Sequence, residues 1–235
     1  MSISLVKETA TRKLDLRKET LKISLVKKSL TSVTARVGVV LDKSGSMRKL
    51  YKDGSVQDVL EKLFPIALNF DDNGELDVWL FNDEFIRMKE PVTLDNFYNY
   101  IDAKVMSGVI EKFWGQTKYA PVMQDVFNKY CIEDPSPLPT FIIFLTDGNN
   151  SDKNNTKKIL KESSAHNIFW EFVGIGDEKF EFLQRLDSLS GRTIDNANFF
   201  DVKDIASLSD EHLYDKLLYE YPQWEAEAKR VGILR

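Results

Sequence analysis

Three short apolar runs constrain the fold of this chain more than any other feature. Residues 35–41 read ARVGVVL, residues 140–146 read TFIIFLT and residues 168–175 read IFWEFVGI. Each run is short and rich in β-branched or aromatic residues, which favours strands that are buried on both faces. Segments with helical spacing of apolar residues separate the runs. This alternation predicts an α/β fold with a doubly wound, mostly parallel sheet.

Further elements can be placed around these strands. The sequence predicts a strand over Leu76–Phe81, a short antiparallel edge strand over 84–88 and a last strand over 199–202. Helical spacing predicts helices over 56–68, 94–105, 120–130, 153–166, 179–189 and 210–218. Pro65 is expected to kink the first of these, and Thr93 to cap the second. Pro222 should break the C-terminal helix, which resumes over 224–231.

The composition excludes several classes of site. The 235 residues include one cysteine, Cys131, and two histidines, His166 and His212. A single cysteine cannot form an intrachain disulfide, and we expect a packed thiol in a cytoplasmic protein. Two histidines make a zinc site or histidine-based catalysis a poor expectation. A net charge of −5 argues against nucleic acid as a partner, and no apolar stretch is long enough for a membrane span.

Residues 1–32 differ from the rest of the chain. They hold eight Lys or Arg and three Asp or Glu, and the pentapeptide ISLVK occurs twice, at Ile3–Lys7 and Ile23–Lys27. We interpret 1–32 as a basic N-terminal appendage, a small strand or a helix, on a main domain over 33–235. Its charges either form a solvated face or dock on an acidic surface of this chain or of a partner.

Oxygen-bearing side chains follow two of the predicted strands. Asp42, Ser44 and Ser46 alternate along the loop after the first strand, and Asp147 follows the run TFIIFLT. Thr117 lies in a third loop, Gly-Gln-Thr, ahead of a helix. Hard cations such as Mg²⁺ take oxygen ligands and often keep waters. Neutral hydroxyls leave the charge of the ion undercompensated, so an open position would favour a carboxylate from outside the chain.

The order of these motifs resembles the metal-ion-dependent adhesion site (MIDAS) of von Willebrand factor A (VWA) domains. The resemblance covers about residues 33–215 and rests on DKSGS, Thr117 and TDG; Gln116 stands where many members have glycine. It implies that Ser44, Ser46 and Thr117 contact one divalent ion directly, Mg²⁺ before Mn²⁺ or Ca²⁺. Asp42 and Asp147 would act through water, and a protein partner would supply a Glu or Asp.

Among VWA domains, the segment VGVVLDKSGSM is most similar to the TerF-like proteins of bacterial tellurium-resistance and stress operons. That resemblance implies a non-enzymatic, metal-dependent interaction module, with other proteins of such operons as partners. Five residues next to the motifs are candidates for contact with the partner. They are Met47, Arg48, Tyr51, Lys118 and Tyr119.

Simpler interpretations remain open at this point. Ser46 and Thr117 could cap helices, and Asp147 could be an ordinary turn residue before Gly148. The chain could also be a metal-independent scaffold that docks through its basic arm. A magnesium-dependent phosphatase of the haloacid-dehalogenase type would need a second aspartate at position 44, where this chain has serine.

Overall fold

A computed structural model describes residues 3–71, 73–204 and 207–235. Its centre is a six-stranded sheet in the order β3-β2-β1-β4-β5-β6. Only the β2–β3 pair is antiparallel; the other neighbours run parallel. The strands are β1 (Arg36–Asp42), β2 (Asp77–Phe81), β3 (Phe85–Arg87), β4 (Thr140–Thr146), β5 (Ile168–Ile175) and β6 (Ala197–Val202). The predicted α/β class and the antiparallel edge strand are confirmed.

Helices cover both faces of this sheet. They are α1 (Ile3–Lys27), α2 (Arg48–Lys52), α3 (Ser55–Phe70), α4 (Ala120–Phe127), α5 (Lys153–Ser163), α6 (Glu181–Asp187), α7 (Asp210–Leu217) and α8 (Tyr221–Arg230). Pro65 lies inside α3 without ending it, and Pro222 occupies the first turn of α8, where its missing N–H costs no hydrogen bond. Among the described residues, no helix has the length and apolarity to cross a membrane.

Alternate residues of the central strands belong to two separate hydrophobic cores, one on each face of the sheet. Val39 and Phe141 belong to the core beneath α1, α3, α7 and α8, whereas Val40 and Phe144 belong to the core beneath α4, α5 and α6. All seven residues of β1 and of β4 are buried, as expected for strands covered on both faces. The sheet is therefore held rigidly from both sides, and its carboxyl edge carries the loops of interest.

The basic N-terminal segment is a 25-residue helix, and it packs on the main domain. Leu14, Leu21 and Leu25 are almost fully buried in the same core as α3 and α7. Arg17 pairs with Asp58 at 2.9 Å and lies 3.6 Å from Asp210. Part of the positive charge of the arm is thus neutralised by acidic groups of its own chain.

The helix predicted over 94–105 is confirmed only in part, because the segment is helical from Phe97 but does not form a regular α-helix. The structure forms a 3₁₀ turn at Phe97–Asn99 and a π-helical turn at Ile101–Val105 instead. The side chain of Asn96 accepts from the N–H of Thr93 and donates to the carbonyl of Pro91. Local bonds of this kind compete with regular helical hydrogen bonds, and apolar spacing alone does not reveal them.

Candidate functional site

The predicted oxygen residues meet at one edge of the sheet. Asp42 ends β1, and Asp147 directly follows β4, the parallel neighbour of β1. The third loop joins them through an isolated parallel bridge between Ser44 and Gly115. The N–H of Gly45 also donates to the carbonyl of Gly115 at 3.1 Å. Parallel strands bring their carboxyl ends together, so topology alone collects residues separated by about a hundred positions.

A chain of hydrogen bonds connects four of the five predicted residues. The Ser44 N–H donates to Asp42 Oδ1 at 2.7 Å. The hydroxyl oxygens of Ser44 and Ser46 lie 3.1 Å apart, and Ser46 Oγ donates to Asp147 Oδ1 at 2.9 Å. Thr146 Oγ1 donates to Asp42 Oδ2 at 2.6 Å. Both oxygens of Asp42 are therefore fixed in direction.

Thr117, the fifth residue, is placed by its backbone. Its carbonyl accepts from the N–H of Ser151 at 3.0 Å, which ties the third loop to the loop after β4. The following helix α4 is capped by Asp152, whose carboxylate accepts from the N–H groups of Tyr119 and Ala120 at 3.1 and 2.7 Å. Thr117 therefore does not serve as the cap of α4.

The cap interpretation of Ser46 also fails. Met47 occupies the cap position of α2 and makes no side-chain cap bond, while the Ser46 hydroxyl points to Asp147. Asp147 likewise receives a hydrogen bond from a loop 101 residues away, which an ordinary turn residue would not require. Local turn chemistry therefore does not account for these side chains.

The spacing of the oxygens suits a small hard cation. Ligands at adjacent corners of an octahedron with metal–oxygen distances of about 2.0–2.1 Å are about 2.9 Å apart. The separation of 3.1 Å between Ser44 Oγ and Ser46 Oγ, two of the predicted direct ligands, is close to that value. Within 3–71, 73–204 and 207–235, no group of three His, Cys, Asp or Glu side chains could hold a metal. A cation site here must use hydroxyls.

The site also concentrates negative charge that is poorly solvated. Burial raises the pKa of Asp42 to about 6, although hydrogen bonds from Ser44 and Thr146 oppose the shift and Asp147 adds to it. Burial likewise raises the pKa of Asp147, with a further contribution from Glu178. Two carboxylates held together at low exposure are stabilised by a bound cation. The residues present therefore fit a divalent ion.

A buried lysine lies beneath this site. Lys43, between Asp42 and Ser44, is completely buried, and its Nζ lies 3.6 Å from the centroid of the Trp114 ring. The same Nζ lies 5.3 Å from the Tyr51 ring centroid and donates to the carbonyl of Glu111 at 3.4 Å. Burial lowers the pKa of this ammonium group to about 8. Lys43 thus ties the first loop to the segment that leads into Gly115.

Gly115 permits close approach of the third loop to the β2–β3 hairpin. A Cβ at this position would lie 2.0 Å from Asp83 Oδ1 and 3.0 Å from Asn82 Cγ. Asp83 Oδ1 also accepts from the N–H of Gln116 at 3.0 Å. Asp83 is therefore a hairpin residue that also orients the loop carrying Thr117.

Three of the five predicted contact residues are in fact buried. Met47 and Tyr51 are each 2% exposed and Tyr119 is fully buried, so these three cannot touch a partner. The Tyr119 hydroxyl donates to the carbonyl of Gly148 at 2.5 Å and lies 3.2 Å from Thr146 Oγ1. These three residues were predicted from their closeness in sequence to the motif. They lie near the site, as predicted, but not at its surface. Arg48 is exposed and Lys118 half-buried.

Sequence reasoning missed two groups that shape the site. Thr146 belongs to the TDG motif, but no role is predicted for its hydroxyl, which fixes Asp42. No role is predicted for Lys43 from the sequence, because a charged side chain in a polar loop usually faces solvent. Nothing in the local sequence indicates that Trp114, from a distant segment, covers it.

Comparison with known proteins gives one family and several solved structures of the same fold. Residues 34–234 match the profile of a family described as the VWA domain found in the TerF C terminus. The uncharacterized protein YcbR of Bacillus subtilis (strain 168) is 49% identical over 222 residues, covering 94% of this chain and 90% of that protein. That coverage extends beyond residues 34–234, so the similarity includes part of α1.

Solved structures share the fold at low identity. Proximal thread matrix protein 1 from the mussel byssus superposes with a TM-score of 0.58 at 16% identity over 78% of this chain; the chain spans 47% of that protein. A second structure of it, with a TM-score of 0.55, 17% identity and coverage of 78% and 48%, has a zinc-occupied MIDAS motif. The SpRpn10 VWA domain superposes with a TM-score of 0.58 at 14% identity. The match covers 80% of this chain and 95% of that one.

Proposed function

The chain belongs to the family of VWA domains found in the TerF C terminus, and from this premise we propose that it is a metal-ion-dependent protein–protein interaction module. The observation that carries the proposal is the run of oxygen contacts from Asp42 through Ser44 and Ser46 to Asp147. VWA domains commonly mediate metal-dependent protein interactions, and this site has the donors for it.

In this proposal one divalent ion, Mg²⁺ by preference, is held by Asp42, Ser44, Ser46, Thr117 and Asp147. Hydroxyl and carboxylate oxygens suit Mg²⁺, Mn²⁺ or Ca²⁺ better than softer metals. The zinc in the MIDAS motif of the mussel protein belongs to that protein, and it supports the general use of this edge of the fold for divalent cations. When bound, the ion supplies an electrophilic position for an outside carboxylate.

The chain itself then provides orientation. Thr146 and the Ser44 N–H hold the Asp42 carboxylate, and the third loop is anchored through Gly115 and Ser151. We propose a partner that presents a Glu or Asp side chain to the ion. By family resemblance, other proteins of a tellurium-resistance or stress operon are the candidates.

We propose no catalytic role. Ser44 takes the place of the second aspartate that the phosphatase mechanism needs, and its hydroxyl lies against Ser46. His212, one of the two histidines, is 3.2 Å from the cap residue Ser209 at the start of α7. The competing scaffold function through the basic arm is weakened, because Arg17 and Lys27 are paired with acidic groups of this chain.

Calorimetric titration with Mg²⁺ and Mn²⁺ tests the metal site. The wild-type chain should bind one ion, and a variant carrying Asp42→Ala and Ser44→Ala should bind none. Asn149→Ala is the matched control and should bind like the wild type, because Asn149 is exposed in the loop after β4 and is not among the five proposed metal residues. Absence of binding to the wild type at millimolar metal would overturn the metal site.

Partner capture from the native host tests the interaction separately. The wild-type chain should retain its partner in Mg²⁺ and lose it in EDTA, and the double variant should capture nothing in either. Retention in EDTA, combined with loss on removal of residues 1–32, would replace this proposal by the scaffold function.

A further inference from the structure

The outer face of α1 carries an exposed apolar stripe. Leu5, Leu16 and Ile23 are 49%, 70% and 56% exposed. At 3.6 residues per turn these three positions project within about 20° of one another. Val26, 66% exposed, lies about one turn beyond Ile23 and about 60° to one side of the stripe. Single exposed apolar residues are common, but a line of them along one helix face is typical of a helix-pairing surface.

This face is presented rigidly. The opposite face of α1 is fixed by buried Leu14 and Leu21 in the main core. Arg17, with a side-chain exposure of 7%, pairs with Asp58 and with Glu61. Of the described elements, α3, α7 and the turn at 97–99 contact α1 most, whereas the residues of the stripe stay exposed. The stripe therefore points away from the domain in a fixed direction.

If a second copy of α1 packs against the stripe in one particular orientation, charged residues beside the stripe face residues of opposite charge on the other copy. Arg12 lies about one turn before Leu16, and Glu19 about one turn after it. An antiparallel second copy centred near Leu16 places each Arg12 beside Glu19 of the other copy. It also places each Glu8 beside Lys22 of the other copy, on the same side of the stripe. In a parallel copy, two-fold symmetry would place these charges of the two helices on opposite sides of the stripe, so the Arg12–Glu19 and Glu8–Lys22 pairs would not form.

These groups are available for such contacts. Their present pairs are between neighbours on the helix surface, Arg12 with Glu8 at 2.6 Å and Lys22 with Glu19 at 2.7 Å. The four side chains are between 55% and 78% exposed, so exchanging partners costs little. From the stripe, its rigid support and this self-complementarity, we propose that α1 forms the interface of an antiparallel two-fold dimer of this chain.

A two-fold contact repeats every pair twice, which makes it selective for a second copy over an unrelated helix. The interface is one helix pair, at the small end of specific interfaces, so the dimer should dissociate in the micromolar range. It does not involve the metal loops, and EDTA should leave it unchanged. The dimer proposal can therefore fail while the metal site holds, and the metal site can fail while the dimer holds.

Sedimentation velocity of the full chain over a range of concentrations tests the dimer. The wild type should pass from monomer to dimer, and Leu16→Glu should stay monomeric because it buries a charge at the centre of the pair. Val109→Glu is the control, since Val109 is 88% exposed outside α1. Wild type that is monomeric at every concentration, or a dimer that survives Leu16→Glu, would overturn the proposal.

Charge reversal tests the antiparallel orientation. Arg12→Glu and Glu19→Arg should each weaken self-association roughly tenfold or more, because each sets like charges together twice. Mixing the two variants should restore a dimer, since both of these contacts in the mixed pair again join opposite charges. Equal association of each variant alone and in the mixture would exclude this orientation. Circular dichroism on each variant confirms that α1 is folded.

Discussion

The ammonium group of Lys43 lies 3.6 Å from the centroid of the Trp114 ring, in the protein interior directly behind the oxygen-lined loop. Arg48 lies on the same ring at 5.0 Å, but at the surface. A cation on an aromatic face is worth about 2 kcal/mol when desolvated and about 0.5 kcal/mol when exposed. Trp114 therefore joins the first and third loops mainly through Lys43.

A double-mutant cycle measures this link. We expect Lys43→Met and Trp114→Leu to show a coupling free energy of about 2 kcal/mol in urea unfolding, because each removes one side of the same contact. The cycle of Arg48→Met with Trp114→Leu is the control and should give about 0.5 kcal/mol. Equal coupling in the two cycles would show that burial of Lys43 adds nothing.

Replacing Gly115 by alanine should distort the third loop. The new Cβ would lie 2.0 Å from Asp83 Oδ1, so the Asp83 side chain must move and would lose its hydrogen bond from the N–H of Gln116. We expect a loss of about 1–3 kcal/mol in unfolding free energy together with weaker Mg²⁺ binding. Gly148→Ala is the matched control, because no atom lies within 4 Å of its added Cβ. Both variants are compared by chemical denaturation and calorimetry.

The Asp42→Asn variant distinguishes the role of Asp42 in metal binding from its effect on the stability of the metal-free chain. Without metal, the variant should be as stable as the wild type or more so near neutral pH, because it removes a fully buried charge and keeps a similar shape. With excess Mg²⁺, only the wild type should gain melting temperature, since ligand binding to the folded state stabilises it. A metal-dependent gain in Asp42→Asn equal to that of the wild type would remove Asp42 from the site.

Removing the buried guanidinium of Arg17 should weaken the packing of α1 on the main domain. Arg17→Ala removes the ion-pair partner of Glu61 and leaves Asp58 with only Lys62, at 3.5 Å, and it should cost about 3 kcal/mol. Lys22→Ala removes an exposed pair with Glu19 and should cost less than about 0.5 kcal/mol. Chemical denaturation provides both values. A similar cost for the two would mean that burial of Arg17 is unimportant.

Glu220 should make stability depend on pH. Burial raises the pKa of Glu220 to about 7, with contributions from Asp187 and Asp195 that Arg192 partly opposes. The folded chain then holds a proton that the unfolded chain loses near pH 4.5, so this stabilisation is full below pH 4.5 and is lost as pH rises through about 7. The melting temperature of Glu220→Gln minus that of the wild type should therefore be larger at about pH 8 than at about pH 5. Glu162→Gln, at an exposed position, should show no such difference.

Much of the fold follows from sequence periodicity. The β1, β4 and β5 runs are buried on every residue, and only a sheet covered on both faces accommodates them. The helix predicted over 94–105 was confirmed only in part, because its form depends on the side chains of Asn96 and Gln57, which bond to nearby backbone groups. Periodicity carries no information about such bonds.

By itself, the sequence determined the strand–helix alternation and the identity of the oxygen-bearing loops, because both depend on residue types at short spacing. Only the tertiary structure decided how those loops are supported. Lys43 against Trp114 and Thr146 against Asp42 are contacts between distant segments. The same holds for α1, whose spacing allowed a strand or a helix until packing against α3 and α7 buried its leucines. Burial of a charged or apolar side chain depends on what the fold brings over it, and that is a property of the whole chain.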